Sequence, residues 1–132
     1  MSMHPVALSC TAALGCLLFL LGLAVSILRF RSKVGSGQSP EKNAPLNKAI
    51  RAHANTAELA PFLAVVFLYF GWRGPSDLAL WLIVAATVCR FLIVIGLTVW
   101  PNISRPNPAR FIGALGTYLC GAALSVLMLV GG

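Results

Sequence analysis

Four apolar stretches, at about Val6–Leu28, Ala49–Phe70, Leu78–Trp100 and Phe111–Val130, take up most of the sequence. Each is roughly 20 residues or longer, and a helix of that length crosses the ~30 Å hydrocarbon core of a bilayer. None alternates with period two as a membrane β-strand does, and in hydrocarbon only helices and closed barrels satisfy their own backbone. With 58% of its 132 residues hydrophobic and 10% charged, the chain carries more apolar surface than a soluble domain of its size can hide. The expected fold is all-α and integral to the membrane: one transmembrane domain over residues 1–132, a four-transmembrane-helix bundle.

The formal net charge of +7 is concentrated in the connections. Arg29, Arg31, Lys33, Lys42, Lys48 and Arg51 surround the first, Arg105 and Arg110 the third, and Arg73 alone the second. With four spans, the first and third connections share a side. The positive-inside rule makes that side cytoplasmic and puts both termini and the second connection opposite. The expected location is a bacterial inner membrane. Topology accounts for the basic excess, so no nucleic-acid partner is expected. The first span has no Lys or Arg before it and is longer than a signal-peptide core, so it is expected to be retained. Cys10, Cys16, Cys89 and Cys120 all lie inside apolar runs, with no Cys-x-x-Cys and no Cys/His cluster. They read as small buried hydrophobes, with neither a disulfide framework nor a metal site.

The connections carry turn and cap signals. Ser32–Leu46 holds Gly35, Gly37 and Pro40 and reads as a mobile loop, with Asn43 or Asn47 as cap of the second helix. Ser76 is the expected N-cap of the third, with Asp77 at its positive end. In the fourth span Ala109, Gly113, Thr117 and Gly121 recur every four residues, a stripe that admits another helix closely.

The polar groups within the apolar runs are the candidate functional residues, because an ionisable group inside a bilayer is expensive. At about 100° per residue, Arg51, Asn55 and Glu58 fall within roughly 60° on one helix face, and His53 points away. A cation, an amide and a carboxylate in one stripe suit a zwitterionic polar ligand. Glu58 lies ten residues beyond Lys48 and Arg90 ten residues before Trp100, which puts both at a depth of about 15 Å on antiparallel helices. Each is the other's best partner, either as a neutralising pair or as the lining of a cavity open to the cytoplasm. Pro61 removes one hydrogen bond from the second helix and leaves the Ala57 carbonyl free. Arg110, at the cytoplasmic start of the fourth span, is a fixed cation that anchors the span or stabilises a thiolate.

The segment Arg51-Ala52-His53-Ala54-Asn55-Thr56-Ala57-Glu58-Leu59-Ala60-Pro61-Phe62 resembles the second-helix signature of the MAPEG family, membrane-associated proteins in eicosanoid and glutathione metabolism. The family pattern, R-x-H-x-N-x-x-E-x-x-P-F, is matched at every fixed position. Chain length, four spans, the basic first loop and Cys89-Arg90 extend the resemblance over almost the whole chain. It implies a homotrimer of four-helix subunits with glutathione, the thiol co-substrate, bound between neighbours near the cytoplasmic side. It further implies that Arg51, Asn55, Glu58 and Arg90 bind glutathione and that Arg110 is the catalytic residue holding its thiolate.

The chain departs from the family after Arg90. Family enzymes commonly read R-x-x-H-x-x-x-Y there; this chain has Ile93 and Leu97 at those two places. Eicosanoid-processing members also carry Ser or Tyr soon after the fourth-helix arginine. Here Phe111-Ile112-Gly113-Ala114 follow Arg110, and Tyr118 is two turns on. Prostaglandin or leukotriene synthesis is therefore not expected. The expected activity is that of a microsomal-type glutathione transferase or peroxidase acting on small hydrophobic electrophiles from the membrane lipid. Two other readings stay open: a non-catalytic binding or structural relative, and a small four-span efflux transporter. Transporters of that kind usually carry their glutamate in the first span, which here has no acidic residue.

Overall fold

The computed structural model describes residues 2–131 as four helices: α1 Pro5–Ser32, α2 Pro45–Arg73, α3 Asp77–Thr98 and α4 Pro108–Val130. All four are long and apolar enough to cross a membrane, so the chain is an integral membrane protein built as a helical bundle. Three of them begin about one turn or less before the apolar runs, each with proline at its first position. Proline is favoured there because its missing N–H would have no helical partner and its φ is already helical.

Ser76 caps α3 as expected, its hydroxyl accepting from the Ala79 amide at 3.3 Å. Asn107 caps α4, accepting from the Arg110 amide at 2.9 Å. The cap of α2 differs from expectation. Ala44 stands there with no side-chain bond. Asn43 instead accepts from the Ile103 amide at 3.1 Å, joining the first loop to the third. Asn47, nearly buried, holds the first loop against the start of α2 by bonds to Ser39 N, Ser39 O and Glu41 O at 2.8–2.9 Å. The residues that signal a helix start in sequence are used here to close a loop.

Loops one and three lie at one end of the bundle, joined again by Lys48 Nζ donating to the Trp100 carbonyl at 2.8 Å. The N-terminal segment meets the second connection at the other end, where the His4 amide donates to the Gly71 carbonyl at 2.9 Å. In the bundle α1 packs on α2 and α4 on α3, while α2 and α4 meet only sparsely. The small-residue stripe makes the α3–α4 contact tight. A Cβ on Gly113 would stand 2.7 Å from the Cys89 carbonyl oxygen and 2.8 Å from the Ile93 nitrogen.

Two apolar clusters form the core. The larger, around Leu14, Leu63, Phe67, Phe70, Ile83 and Leu124, lies toward the end carrying the second connection. The smaller, of Leu17, Leu21, Ala52, Ile93 and Leu97, lies toward loops one and three. Asn55, Thr56 and Arg90 fall between them in sequence on α2 and α3, forming a polar layer in an otherwise apolar interior. His53 leaves this layer and packs half-buried beside Gly22 of α1, as its position on the helix requires. Helix α2 runs through Pro61 without a break.

Candidate functional site

Helices α2, α3 and α4 enclose a cavity of about 380 Å³. Its walls are Arg51, Asn55 and Glu58 from α2, Ile93 and Leu97 from α3, and Arg110 and Tyr118 from α4, with Ala54 and Ala114 between them. The α2 residues arrive together because they share one helical stripe. The α4 residues do so for the same reason, since Arg110, Ala114 and Tyr118 recur every four residues. Arg51 and Glu58 are exposed, so the cavity is open on its outer side.

Arg110 is fixed at two points. Its amide is held by Asn107, and its Nη1 donates to the Ile103 carbonyl at 3.0 Å. Asn107 is itself tied to α3, its Nδ2 donating to the Gly96 carbonyl at 2.9 Å. A Cβ on Gly96 would stand 2.7 Å from the Arg110 nitrogen and 2.8 Å from Asn107 Oδ1, so this anchoring of α4 needs glycine. A guanidinium positioned in this way spends one N–H on the loop and keeps others for an anion.

Arg90 stands behind the cavity wall and not on it. It is fully buried, and its Nη2 donates to Asn55 Oδ1 at 2.6 Å. Its Nε and Nη1 have no partner among the described residues. The expected Glu58–Arg90 pair is therefore corrected: the partner of Arg90 is Asn55. The depth match holds, but the two side chains point differently. Arg90 is turned inward toward the α2 face that carries Asn55, and Glu58, one turn further along, is exposed. Of the five residues singled out from the sequence, four line the cavity and the fifth braces one of those four.

Tyr118 was placed by sequence only as lying two turns beyond Arg110, yet it lines the same cavity. Its spacing from Arg110, eight residues, is the signal that locates it on that face. Ile93 and Leu97, the two departures after Arg90, form the hydrocarbon part of the wall. A second cavity of about 340 Å³ lies on the loop side of Arg110, lined also by Ser104, Pro106, Asn107 and Phe111.

The cavity offers two guanidinium groups, an amide and a carboxylate beside an apolar wall. That set can bind a small molecule bearing anionic and cationic ends and can hold a thiol as thiolate. Its volume is at the lower end of the range typical of small-molecule sites. A model of the MAPEG family matches residues 7–130, and the chain belongs to that family. Membership supports a membrane protein related to glutathione and eicosanoid metabolism. No curated protein and no solved structure matches the chain.

Proposed function

We propose that this member of the MAPEG family is a glutathione-dependent transferase or peroxidase acting on hydrophobic electrophiles that arrive through the bilayer. The observation that carries the reading is the convergence of Arg51, Asn55, Glu58 and Arg110 on one cavity. Glutathione has two carboxylates, an ammonium and a thiol. Glu58 matches the ammonium, Arg51 a carboxylate at the mouth, and Asn55 a peptide group. Arg110 is the thiolate-holding residue, because a cation that cannot lose its proton lowers a thiol pKa without taking part in the transfer. Arg90 acts through Asn55, fixing the direction in which the amide faces. Bound thiolate supplies the nucleophile.

In this assignment the second carboxylate still lacks a cation, and the cavity is open outward. Both features favour a homotrimer in which a neighbouring subunit covers the mouth and supplies the missing charge. Exposed Glu58, near the middle of a membrane-spanning helix, points the same way, since lipid is a poor environment for a carboxylate. Loops one and three, rich in Lys and Arg, are assigned to the cytoplasm of a bacterial inner membrane, which lets glutathione reach the cavity from the aqueous side.

A second reading, glutathione binding without turnover, is favoured by Ile93 and Leu97, which give the wall no hydrogen bond donor. The experiment is turnover of a generic aryl halide and a lipid hydroperoxide by purified protein in detergent, beside Arg110→Ala, with the ultraviolet absorbance of bound thiolate followed in parallel. The enzyme reading expects thiolate absorbance and turnover, both lost in Arg110→Ala. Binding without thiolate or turnover would establish the second reading, and no binding at all would sink both.

A further inference from the structure

Among the described residues, Tyr118 alone lines both the polar cavity and an apolar cleft further along the α2–α4 groove. That cleft, of about 230 Å³, is lined by Leu59, Phe62, Leu63, Thr117, Gly121 and Ser125 among others. On one side of the tyrosine lie Arg110 and Glu58, and on the other a hydrocarbon wall. Its phenol makes no hydrogen bond among the described residues, and its side chain is 58% exposed, so the O–H is free to donate. The polar groups used for glutathione leave no other neutral acid in the cavity.

We propose that Tyr118 is a further catalytic residue, the general acid for reduction of a hydrophobic peroxide whose hydrocarbon lies in the apolar cleft. This rests on the thiolate reading of the Arg110 cavity and names the substrate class it serves. The thiolate sulfur bonds to the distal peroxide oxygen, and the O–O bond breaks. The electron pair leaves on the proximal oxygen as alkoxide, and the Tyr118 proton passes to it, giving the alcohol. A second glutathione thiol attacks the oxidised sulfur, forming the disulfide and releasing water. The phenolate regains a proton from water, to which the first thiol lost its own. In sum, one peroxide and two thiols give one alcohol, one disulfide and one water. An aryl halide loses halide, which needs no proton, so general acid help is specific to the peroxide reaction.

The test is Tyr118→Phe, which keeps the ring and removes the acid. Turnover is measured with a series of alkyl hydroperoxides whose alkoxides differ in basicity, and with an aryl halide. Thiolate absorbance of the wild-type protein serves as the check on the underlying reading. The expected result is that peroxide turnover falls about a hundredfold relative to aryl halide turnover in the same variant, the scale of general acid catalysis. The loss is steepest for the most basic alkoxide, a dependence that a packing defect cannot produce. If wild-type protein shows no thiolate, the Arg110 reading fails and this proposal with it. If thiolate forms but the variant lowers both reactions equally, lowers neither, or shows no dependence on the alkoxide, Tyr118 is not the acid and the thiolate reading stands.

Discussion

Among the described residues, Arg90 and Asn55 form the one side-chain bond linking the middle of α3 to the middle of α2, Nη2 to Oδ1 at 2.6 Å. The guanidinium is fully buried and this amide is its sole acceptor among the described residues. A buried charge deprived of its acceptor loses far more than the mean value of a hydrogen bond, because its desolvation is left uncompensated. Asn55→Leu is therefore expected to destabilise the protein by about 3 kcal/mol. Asn55→Asp keeps an acceptor and adds a countercharge, so its thermal midpoint should stay at or above that of the wild type. Thermal unfolding in detergent checks both, and equal midpoints for the two variants would show that Arg90 finds its partner elsewhere.

Arg51 stands exposed at the cavity mouth, where its charge is shared with water. Its contribution to glutathione binding should be modest and sensitive to salt. Arg51→Ala is expected to weaken binding about tenfold, equivalent to ~1.4 kcal/mol. The wild-type advantage should shrink as ionic strength rises, because exposed charges are screened over about 10 Å at 0.1 M salt. Calorimetric titration at low and high salt reads this directly. An advantage that does not change with salt would place Arg51 away from the ligand's charge.

Asn47 makes three hydrogen bonds to the backbone of the first loop while itself nearly buried. Asn47→Ala removes them all and frees the segment that contains Lys42. Limited trypsin digestion should then cut after Lys42 at least several times faster than in the wild type. Loss of overall stability should be about 2 kcal/mol. Unchanged cleavage would show that the loop is held by other contacts, such as Asn43 with Ile103.

The four helices are legible because apolar length alone decides a span, and α2 and α4 start earlier than the apolar runs because proline at Pro45 and Pro108 begins each helix within polar sequence. Grouping Arg51, Asn55 and Glu58 needed only the 100° helical step, and Arg110 and Tyr118 obey the same step. The pairing of Arg90 was not legible. Counting residues gives depth along a helix axis, whereas the partner depends on how α3 is rotated against α2, and packing sets that rotation. Asn43 and Asn47 misled for a related reason, since an asparagine side chain serves a helix end and a loop equally well. Gly96 carried no local signal at all. Its role is visible only once α4 lies across it.

Gly96 offers a sharp comparison with Gly15. A Cβ on Gly96 would collide with the backbone nitrogen of Arg110 and with Asn107 Oδ1, while one on Gly15 meets nothing within 4 Å. Gly96→Ala must push the start of α4 away and displace Arg110. It should cost about 1–3 kcal/mol through overpacking and reduce thiolate formation more than glutathione binding. Gly15→Ala, in an open helical position, should be neutral or stabilising by up to about 1 kcal/mol. Thermal midpoints and thiolate absorbance measured on both variants check this. Equal behaviour of the two would mean that α4 does not need its close approach to α3.

Glu58 sits thirteen residues into the 29-residue α2, so it lies close to the middle of the span, and it is exposed on the helix surface. An acidic side chain near the bilayer centre costs about 3 kcal/mol in helix insertion, and Asn55 has already taken the nearby guanidinium as its own partner. Such a residue is a burden on folding, which under the proposed assignment the ammonium of glutathione compensates. Glu58→Gln keeps the shape and removes the charge. Without glutathione it is expected to raise the thermal midpoint, by an amount worth about 1–2 kcal/mol. With saturating glutathione that gain should shrink to about zero, because affinity falls about tenfold when the ammonium loses its counterion, and the ~1.4 kcal/mol so lost offsets it. Thermal unfolding with and without saturating glutathione separates the two effects in one experiment. A variant less stable than the wild type in the absence of ligand would mean that Glu58 is already paired in the assembled protein, and its role would then be structural.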